Sequence, residues 1–167
     1  EISRPCREIR PESPGYEETI DRITEILAGG VKTVGFVSPS HVIPQVKAII
    51  RGLKATGLDP ITVYNTNGYD KRETIVSLDG LIDVYLPDYK YFDASTAKKF
   101  SDSPDYPDTA YRAIKEMYYQ KGSVLVKDSE GRAENGLLLR HLVLPGHAAE
   151  SMKILKKLAN DLSTGIS

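Results

Sequence analysis

The chain has 167 residues, 40% of them hydrophobic, which is enough for one sizeable core and gives no indication of a second. Its 22 basic and 23 acidic residues leave a net charge of −1, so nothing in the composition favours nucleic acid or a membrane surface as a partner. The longest apolar runs break within about ten residues, short of the roughly twenty that span a bilayer. We therefore expect one soluble domain over residues 1–167.

The N-terminal region carries the one cysteine of the chain, Cys6. An internal disulfide is thereby excluded, and a cytoplasmic location is expected. Residues 1–14 are polar and proline-rich, which predicts an extended N-terminal segment. Because the first residue is Glu1 rather than Met, we expect the sequence to begin inside a longer protein.

Helical and strand-like periodicities alternate along the first half of the chain. Residues 16–30 carry apolar side chains at helical spacing and end in Gly-Gly, which predicts a helix. Residues 31–40 follow as a β-branched strand. The same pair recurs, with a helix expected over 44–57 and a strand over 59–68.

The second half continues this alternation. A short helix is predicted at 71–78, a strand at 81–90, and a helix at 107–122. After a short segment that turns at "DSEG", the run "GLLLRHLVLPG" is expected to be the longest strand. Residues 148–162 are expected to form the last helix. Alternating strands and helices predict an α/β fold with a parallel sheet, since parallel neighbours need long crossovers. Four main strands are too few for a closed barrel of about 250 residues, so an open, partial barrel or a curved sheet is expected.

Polar clusters follow each predicted strand. These clusters are "SPSH" at 38–41, "NTNGY" at 65–69, "PDYK" at 87–90 and "PGH" at 145–147. One such cluster is explained by turn propensity alone, because turns favour Ser, Asn, Pro and Gly. Four clusters in a row favour a ligand site, because ligands bind at the carboxyl edge of parallel sheets.

Structural alternatives exist for most of these residues. Asn67-Gly68 is a common turn dipeptide, and His41 has a simple role at the start of its helix. Asp88 and Lys90 share a strand face and are compatible with a structural ion pair. The aromatic series after and within this strand is expected to pack in the core: Tyr85, Tyr89 and Tyr91.

Arg140 and His141 are neighbours on an apolar strand. Successive side chains of a strand point to opposite faces, so at most one of the two enters a central cavity directly. For His141, a hydrogen-bonded position in the core is favoured over a ligand contact.

Several phrases of the chain, "VYNTNGYD", "LIDVYLPDYKY", "SPDY" and "LLLRHLVLPG", resemble the radical S-adenosylmethionine proteins related to pyruvate formate-lyase activating enzyme, in particular their poorly characterised anaerobic branch. "VSPSHVIPQV" is similar to that branch's segment after the second strand, and the opening "EIS" to words just after the family's three cluster cysteines. The resemblance covers most of the chain and follows the family's order.

This resemblance implies an oxidoreductase with an open (β/α) barrel that holds S-adenosylmethionine and a [4Fe–4S] cluster, and it implies that this chain lacks the first βα unit. In such enzymes the reduced cluster cleaves S-adenosylmethionine to methionine and a 5′-deoxyadenosyl radical. Activating enzymes use this radical on a glycine of a partner enzyme. A glycyl-radical enzyme and a flavodoxin-type reductant are the implied partners.

The resemblance also implies roles for particular residues. Lys90 is expected to meet the carboxylate of the cofactor beside Asp88, and Ser38 and Ser40 to lie near its amino group. Asn65 stands where many relatives have Asp. The implied catalytic residues are Arg140 and Lys90, and the implied cofactor-binding residues are Ser38, Ser40, His41, Asn65, Thr66, Asn67, Asp88, Lys90 and His141.

The residue chemistry alone agrees with such a ligand. S-adenosylmethionine presents a carboxylate, an ammonium and a sulfonium, so its site needs a cation such as Lys90 and acceptors such as Asp88 and the Asn65 amide oxygen. The CxxxCxxC motif that ligates the cluster is absent, and Cys6 alone cannot replace it, because a cluster needs several thiolates. We therefore expect no metal ligands in this chain, a start just after the motif, and no catalytic activity from these residues alone.

Two other classes of function remain open. A class I aldolase-like enzyme would form a Schiff base on Lys90, which requires a neutral amine. The neighbouring carboxylate of Asp88 argues against this, because it favours the charged ammonium. The other class is a binding module without catalysis, which would have no affinity for S-adenosylmethionine.

Overall fold

The computed structural model describes residues 15–166. The expected extended segment over residues 1–14, with Cys6 in it, therefore lies outside the described residues, as does Ser167. Within the described range, strands and helices alternate as the sequence predicts. The strands are β1 (Thr33–Val37), β2 (Ile61–Thr66), β3 (Val84–Pro87), β4 (Val126–Lys127) and β5 (Ala133–Leu137). The helices are α1 (Tyr16–Ala28), α2 (Ile43–Ala55), α3 (Arg72–Val76), α4 (Ala94–Ser101), α5 (Tyr106–Lys121) and α6 (Ala148–Asp161), with a short 3-10 turn at Pro39–His41.

The five strands form one sheet in the order β1-β2-β3-β5-β4. The pairs β1–β2, β2–β3 and β3–β5 are parallel, whereas β4 runs antiparallel to β5 as the other arm of a hairpin. The α/β class and the mostly parallel sheet are thereby confirmed. The hairpin turns at the predicted "DSEG", where the Gly131 N–H donates to the Asp128 carbonyl at 3.0 Å.

One face of the sheet, which we name the covered face, packs against helices. Its register aligns Phe36 with Tyr64, Tyr64 with Tyr85, and Tyr85 with Leu137. Tyr64, Tyr85 and Leu137 are fully buried, and they share one core with side chains of α2, α3 and α5. A second core joins the segment after β3 to α4, α5 and α6. Burial of this apolar surface is the main stabilisation of the fold.

The opposite face, which we name the open face, carries the alternate side chains of the same strands. Val37 lies beside Asn65, and Asn65 beside Leu86, so these side chains share that face. Val37, at the β1 end of this row, is 73% exposed, and Leu138, which follows β5 at the other end, is 38% exposed. The open face therefore meets solvent at both ends of the row. In the described part of the chain, the sheet is therefore covered by helices on one face and partly exposed to solvent on the other.

The expected longest strand, over 136–146, is wrong in its bounds. The strand β5 begins earlier and ends at Leu137, and β2, with six residues, is the longest. Beyond Leu137 the pairing with the β3 segment continues through three backbone hydrogen bonds, from Leu138 to Tyr85, from Arg140 to Pro87 and from Tyr89 to Arg140. The ladder is interrupted at Pro87, where β3 ends, because proline has no backbone N–H to donate.

Helix α4 is absent from the sequence-based prediction. Its eight residues, "ASTAKKFS", bury only Thr96 and Ala97, so no apolar stripe marks it in the sequence. None of the helices among the described residues has the length and apolar character needed to cross a bilayer.

Candidate functional site

The carboxyl edge of the open face brings together three polar side chains. Arg140 donates from Nε to Asp88 Oδ1 at 2.8 Å and from Nη2 to Asn65 Oδ1 at 2.7 Å. Arg140 and Asp88 follow β5 and β3, and Asn65 is the penultimate residue of β2; these three strands are neighbours in the sheet. Asp88 and Arg140 also face each other as an isolated parallel bridge, which fixes their backbones side by side. We name this group, with Lys90, the edge cluster.

Lys90 completes the edge cluster from the segment after β3. Its Nζ lies 3.4 Å from Asp88 Oδ2, so one carboxylate faces two cations. The side chains of Lys90 and Arg140 are 30% and 43% exposed, and their contacts with the described residues use only some of their N–H groups. The cluster therefore has an excess of one positive charge, which suits an anionic group of a ligand.

Asn65 is expected from the sequence to offer its amide oxygen to a cation. In the structure this oxygen accepts a hydrogen bond from Arg140. The group of the Asn65 side chain that can bond to a ligand is therefore mainly the Nδ2 donor. The amide therefore favours an acceptor on the ligand, such as a carboxylate or hydroxyl oxygen. This differs from the expected contact because Arg140, two residues beyond Leu138, reaches across the β3 segment to β2.

The Asn67-Gly68 pair forms the turn that its sequence predicts. Asn67 Oδ1 accepts from the Tyr69 N–H at 2.9 Å, and Gly68 has φ of +82°. A Cβ at position 68 would overlap the carbonyl oxygen of Asp88, so the turn packs directly on the segment after β3. Glycine is required here both by the backbone conformation and by this approach.

Tyr106 is a residue of this region that sequence reasoning missed. Its hydroxyl lies 2.8 Å from the Asn67 carbonyl oxygen and 2.9 Å from that of Asp88. The side chain is 4% exposed, and this burial raises the pKa of the phenol well above its usual value. In the sequence, "SPDY" contributes only to the family resemblance, and no periodicity points from position 106 to the strand ends.

Thr66 belongs to the covered face rather than to the edge cluster. Its Oγ1 donates to Asp70 Oδ2 at 2.6 Å and accepts from the Gly68 N–H at 3.1 Å. Asp70, only 2% exposed, also accepts from the Tyr64 hydroxyl at 2.9 Å. Burial, followed by the charge of Asp70, raises the pKa of Tyr64, which keeps this donor protonated. The hydroxyl of Thr66 thus stabilises the loop after β2.

His141 also has protein partners for both ring nitrogens. Nδ1 lies 2.6 Å from the Tyr89 carbonyl oxygen, and Nε2 lies 2.8 Å from Ser151 Oγ on α6. Because a carbonyl oxygen only accepts, Nδ1 carries a proton, and Nε2 pairs with the Ser151 hydroxyl, which can donate or accept. This geometry favours the hydrogen-bonded core histidine over the alternative of a cofactor contact.

The segment after β1 lies next to the edge cluster. The Ser38 N–H donates to the Asn65 carbonyl at 2.8 Å, and Ser38 itself has φ of +50°. Ser40 lies in the middle of the 3-10 turn and is exposed. His41 is exposed at the end of the 3-10 turn, two residues before α2 begins, and Val42 rather than His41 is the N-cap of that helix.

Two further features limit the chemistry of the described residues. Between residues 15 and 166 no group of three or more His, Cys, Asp or Glu side chains is placed to hold a metal ion. A cavity of about 300 Å³, lined by α1 and the start of β2, lies at the amino edge of the sheet and contains none of the predicted site residues. The edge cluster therefore remains the candidate site.

Fold and site together define an α/β protein with a mostly parallel sheet and a cationic cluster at its carboxyl edge. A comparison with known protein families finds no match. The chain is similar to a curated protein named Uncharacterized protein MJ0674, of Methanocaldococcus jannaschii, with 29% identity over 116 residues. The alignment covers 70% of this chain and 30% of that relative, so the chain spans less than a third of the relative's length.

Proposed function

We propose that this chain is the S-adenosylmethionine-binding part of a radical S-adenosylmethionine enzyme of the pyruvate formate-lyase activating type. The observation that carries the proposal is the edge cluster, in which Asn65, Asp88, Lys90 and Arg140 converge at the carboxyl edge of parallel strands. This edge is where α/β folds bind their ligands.

The residues fit the charges of S-adenosylmethionine. Lys90 and Arg140 present N–H donors to its carboxylate, and Asn65 adds the Nδ2 donor. Asp88 is the acceptor for its ammonium and also holds the two cations in place. Apolar side chains of the same face, among them Leu86 and Leu138, adjoin these polar groups and suit the less polar parts of the ligand.

An open, partial barrel is the finer fold that accompanies this proposal. The open face would be the barrel interior, and β1 lies at one end of the sheet, where no other strand of residues 15–166 pairs with its outer edge. The strand "TVGFV" has no charge or proline to protect that edge. An additional βα unit outside the present sequence would cover it.

The [4Fe–4S] cluster does not fit the residues of this chain. The sequence has one cysteine, Cys6, and a cluster needs three or four thiolates. The proposal therefore requires the cluster ligands to come from a longer protein, and this chain alone is expected to be inactive. A glycyl-radical enzyme and a flavodoxin-type reductant are the partners that the proposal assigns to the longer protein.

The aldolase alternative gains no support from the site. The Lys90 ammonium lies against a carboxylate and remains partly exposed, whereas a Schiff-base lysine must lose its proton. Borohydride trapping with carbonyl substrates separates the two functions, because only an aldolase would be labelled at Lys90.

The proposal is tested with the whole protein that contains this chain, prepared without oxygen and reconstituted with iron and sulfide. We expect cluster absorbance and, on addition of reductant and S-adenosylmethionine, release of 5′-deoxyadenosine measured by chromatography. Residues 1–167 alone, treated in the same way, serve as the control and should form neither. Iron-loaded whole protein that releases no 5′-deoxyadenosine, or a longer sequence without a cysteine triplet, would contradict the proposal.

A further inference from the structure

The hydroxyl of Tyr106 lies between the two backbone segments that follow β2 and β3. On one side it is 2.8 Å from the Asn67 carbonyl oxygen, and on the other it is 2.9 Å from that of Asp88. It also accepts a hydrogen bond from the Lys90 N–H at 3.1 Å. A phenol has one proton to share between the two carbonyls and lone pairs to accept from Lys90, so all three backbone groups depend on one oxygen atom.

The position of this oxygen is fixed by the packing of the ring. Tyr106 is the first residue of α5, and Pro107 follows it within the first helical turn. Its ring packs edge-to-face on Tyr91, with 5.4 Å between centroids, and stacks on Tyr69 at 5.8 Å. The carbonyl of Asp88 is further confined by the close approach of Gly68. The backbone at positions 88 and 90 is therefore held from the helix side.

We propose that Tyr106 is a positioning residue, which holds the backbone of Asp88 and Lys90 so that their charged groups face the ligand in a fixed arrangement. The inference rests on the proposed function, since the ligand is taken to be S-adenosylmethionine. Tyr106 does not touch the ligand in this account. Its effect reaches the site through Lys90, whose long side chain gains direction only if its backbone is fixed.

The test compares two tyrosine-to-phenylalanine variants in the whole protein. Tyr106→Phe keeps the ring and removes the hydroxyl. Tyr85→Phe is the matched control, because Tyr85 is also fully buried and loses one hydroxyl contact, 2.7 Å from Gln120 Oε1, on the covered face. Removal of a buried hydrogen bond changes the equilibrium constant that depends on it by roughly tenfold.

We expect Tyr106→Phe to weaken S-adenosylmethionine binding about tenfold by calorimetry, and Tyr85→Phe to change it less than about twofold, although both lower the melting temperature. Hydrogen exchange of the Lys90 amide should accelerate in Tyr106→Phe alone. Equal losses of affinity in both variants, or unchanged exchange at Lys90, would overturn the positioning role. If the unmodified whole protein binds no S-adenosylmethionine, the proposed function fails, and the exchange of the Lys90 amide then decides only whether Tyr106 holds the Lys90 backbone.

Discussion

The two faces of the sheet use their polar residues in different ways. On the covered face, Thr66 and His141 make hydrogen bonds to neighbouring groups of the fold. On the open face, their direct neighbours Asn65 and Arg140 meet each other, and Arg140 also meets Asp88 and remains 43% exposed. Of two adjacent polar residues on a strand, one thus has a structural role on the covered face and the other is a candidate ligand contact on the open face.

The face of the sheet therefore indicates whether a polar residue at a strand end is structural or a candidate ligand contact. A polar side chain on the covered face must find protein partners, because leaving it unpaired in the core costs free energy. A polar side chain on the open face keeps free capacity that a ligand can use. The first predictions therefore compare neighbouring residues, one from each face.

The largest difference is expected between two adjacent leucines. Leu137→Ala removes a fully buried side chain on the covered face and should lower the free energy of unfolding by about 2–5 kcal/mol. Leu138→Ala removes a side chain that is 38% exposed, so its cost should stay below about 1 kcal/mol. Urea denaturation of both variants measures the two costs. Equal costs would mean that the open face is as well packed as the covered one.

A smaller difference is expected between His141 and Arg140. His141→Ala leaves the Tyr89 carbonyl and the Ser151 hydroxyl without their partner, which should cost about 1–3 kcal/mol of unfolding free energy. Arg140→Ala breaks a partly exposed ion pair, so its cost should be below about 1 kcal/mol. Denaturation of the two variants side by side gives the comparison. A larger loss for Arg140 would assign it a structural role.

The smallest effect concerns Glu150, a carboxylate in the first turn of α6 that accepts hydrogen bonds from the segment after β3. Burial alone would raise the pKa of Glu150, but the backbone N–H groups of Asp93 and Phe92 outweigh this and hold it below its usual value. Its stabilisation is therefore complete above the unfolded-state pKa of about 4.5 and is lost as the pH falls through the lower folded-state pKa.

Glu150→Gln tests this contribution, since the amide does not titrate. At pH 7 the variant should be less stable by up to about 1 kcal/mol, and the difference from the unmodified protein should shrink on acidification below pH 4.5. Thermal denaturation between pH 7 and 3 follows the difference. A difference that stays constant over this range would contradict the linkage to Glu150.

Much of the fold follows from the sequence because its periodicity is strong. The helices α2 and α5 and the strands β1 to β3 lie where apolar spacing predicts them, and the turn at Asn67 follows from its residue types. The end of β5 and helix α4 were not predicted, because they depend on pairing partners and on tertiary packing rather than on local pattern.

The candidate site was predictable only in part. Strand-end positions pointed to Asn65, Asp88 and Lys90, because parallel strands end at one edge, whereas Arg140, expected inside the last strand, was assigned through the family resemblance. The position of Thr66 on the covered face, away from the edge cluster, was not predicted, because the face on which a residue lies depends on the register of the sheet. The contribution of Tyr106 was not predictable, because its three backbone contacts join residues that are up to 39 positions apart.

The central claim is that the edge cluster binds the charged end of S-adenosylmethionine, and calorimetry on the whole protein tests it most directly. Lys90→Ala should weaken binding by roughly 1.5–3 kcal/mol, the scale of a hydrogen bond to a charged group. Lys153→Ala, which removes an exposed lysine of α6 paired with Asp93, is the matched control and should leave the affinity unchanged. Unchanged affinity in Lys90→Ala, or equal losses in both variants, would contradict the account.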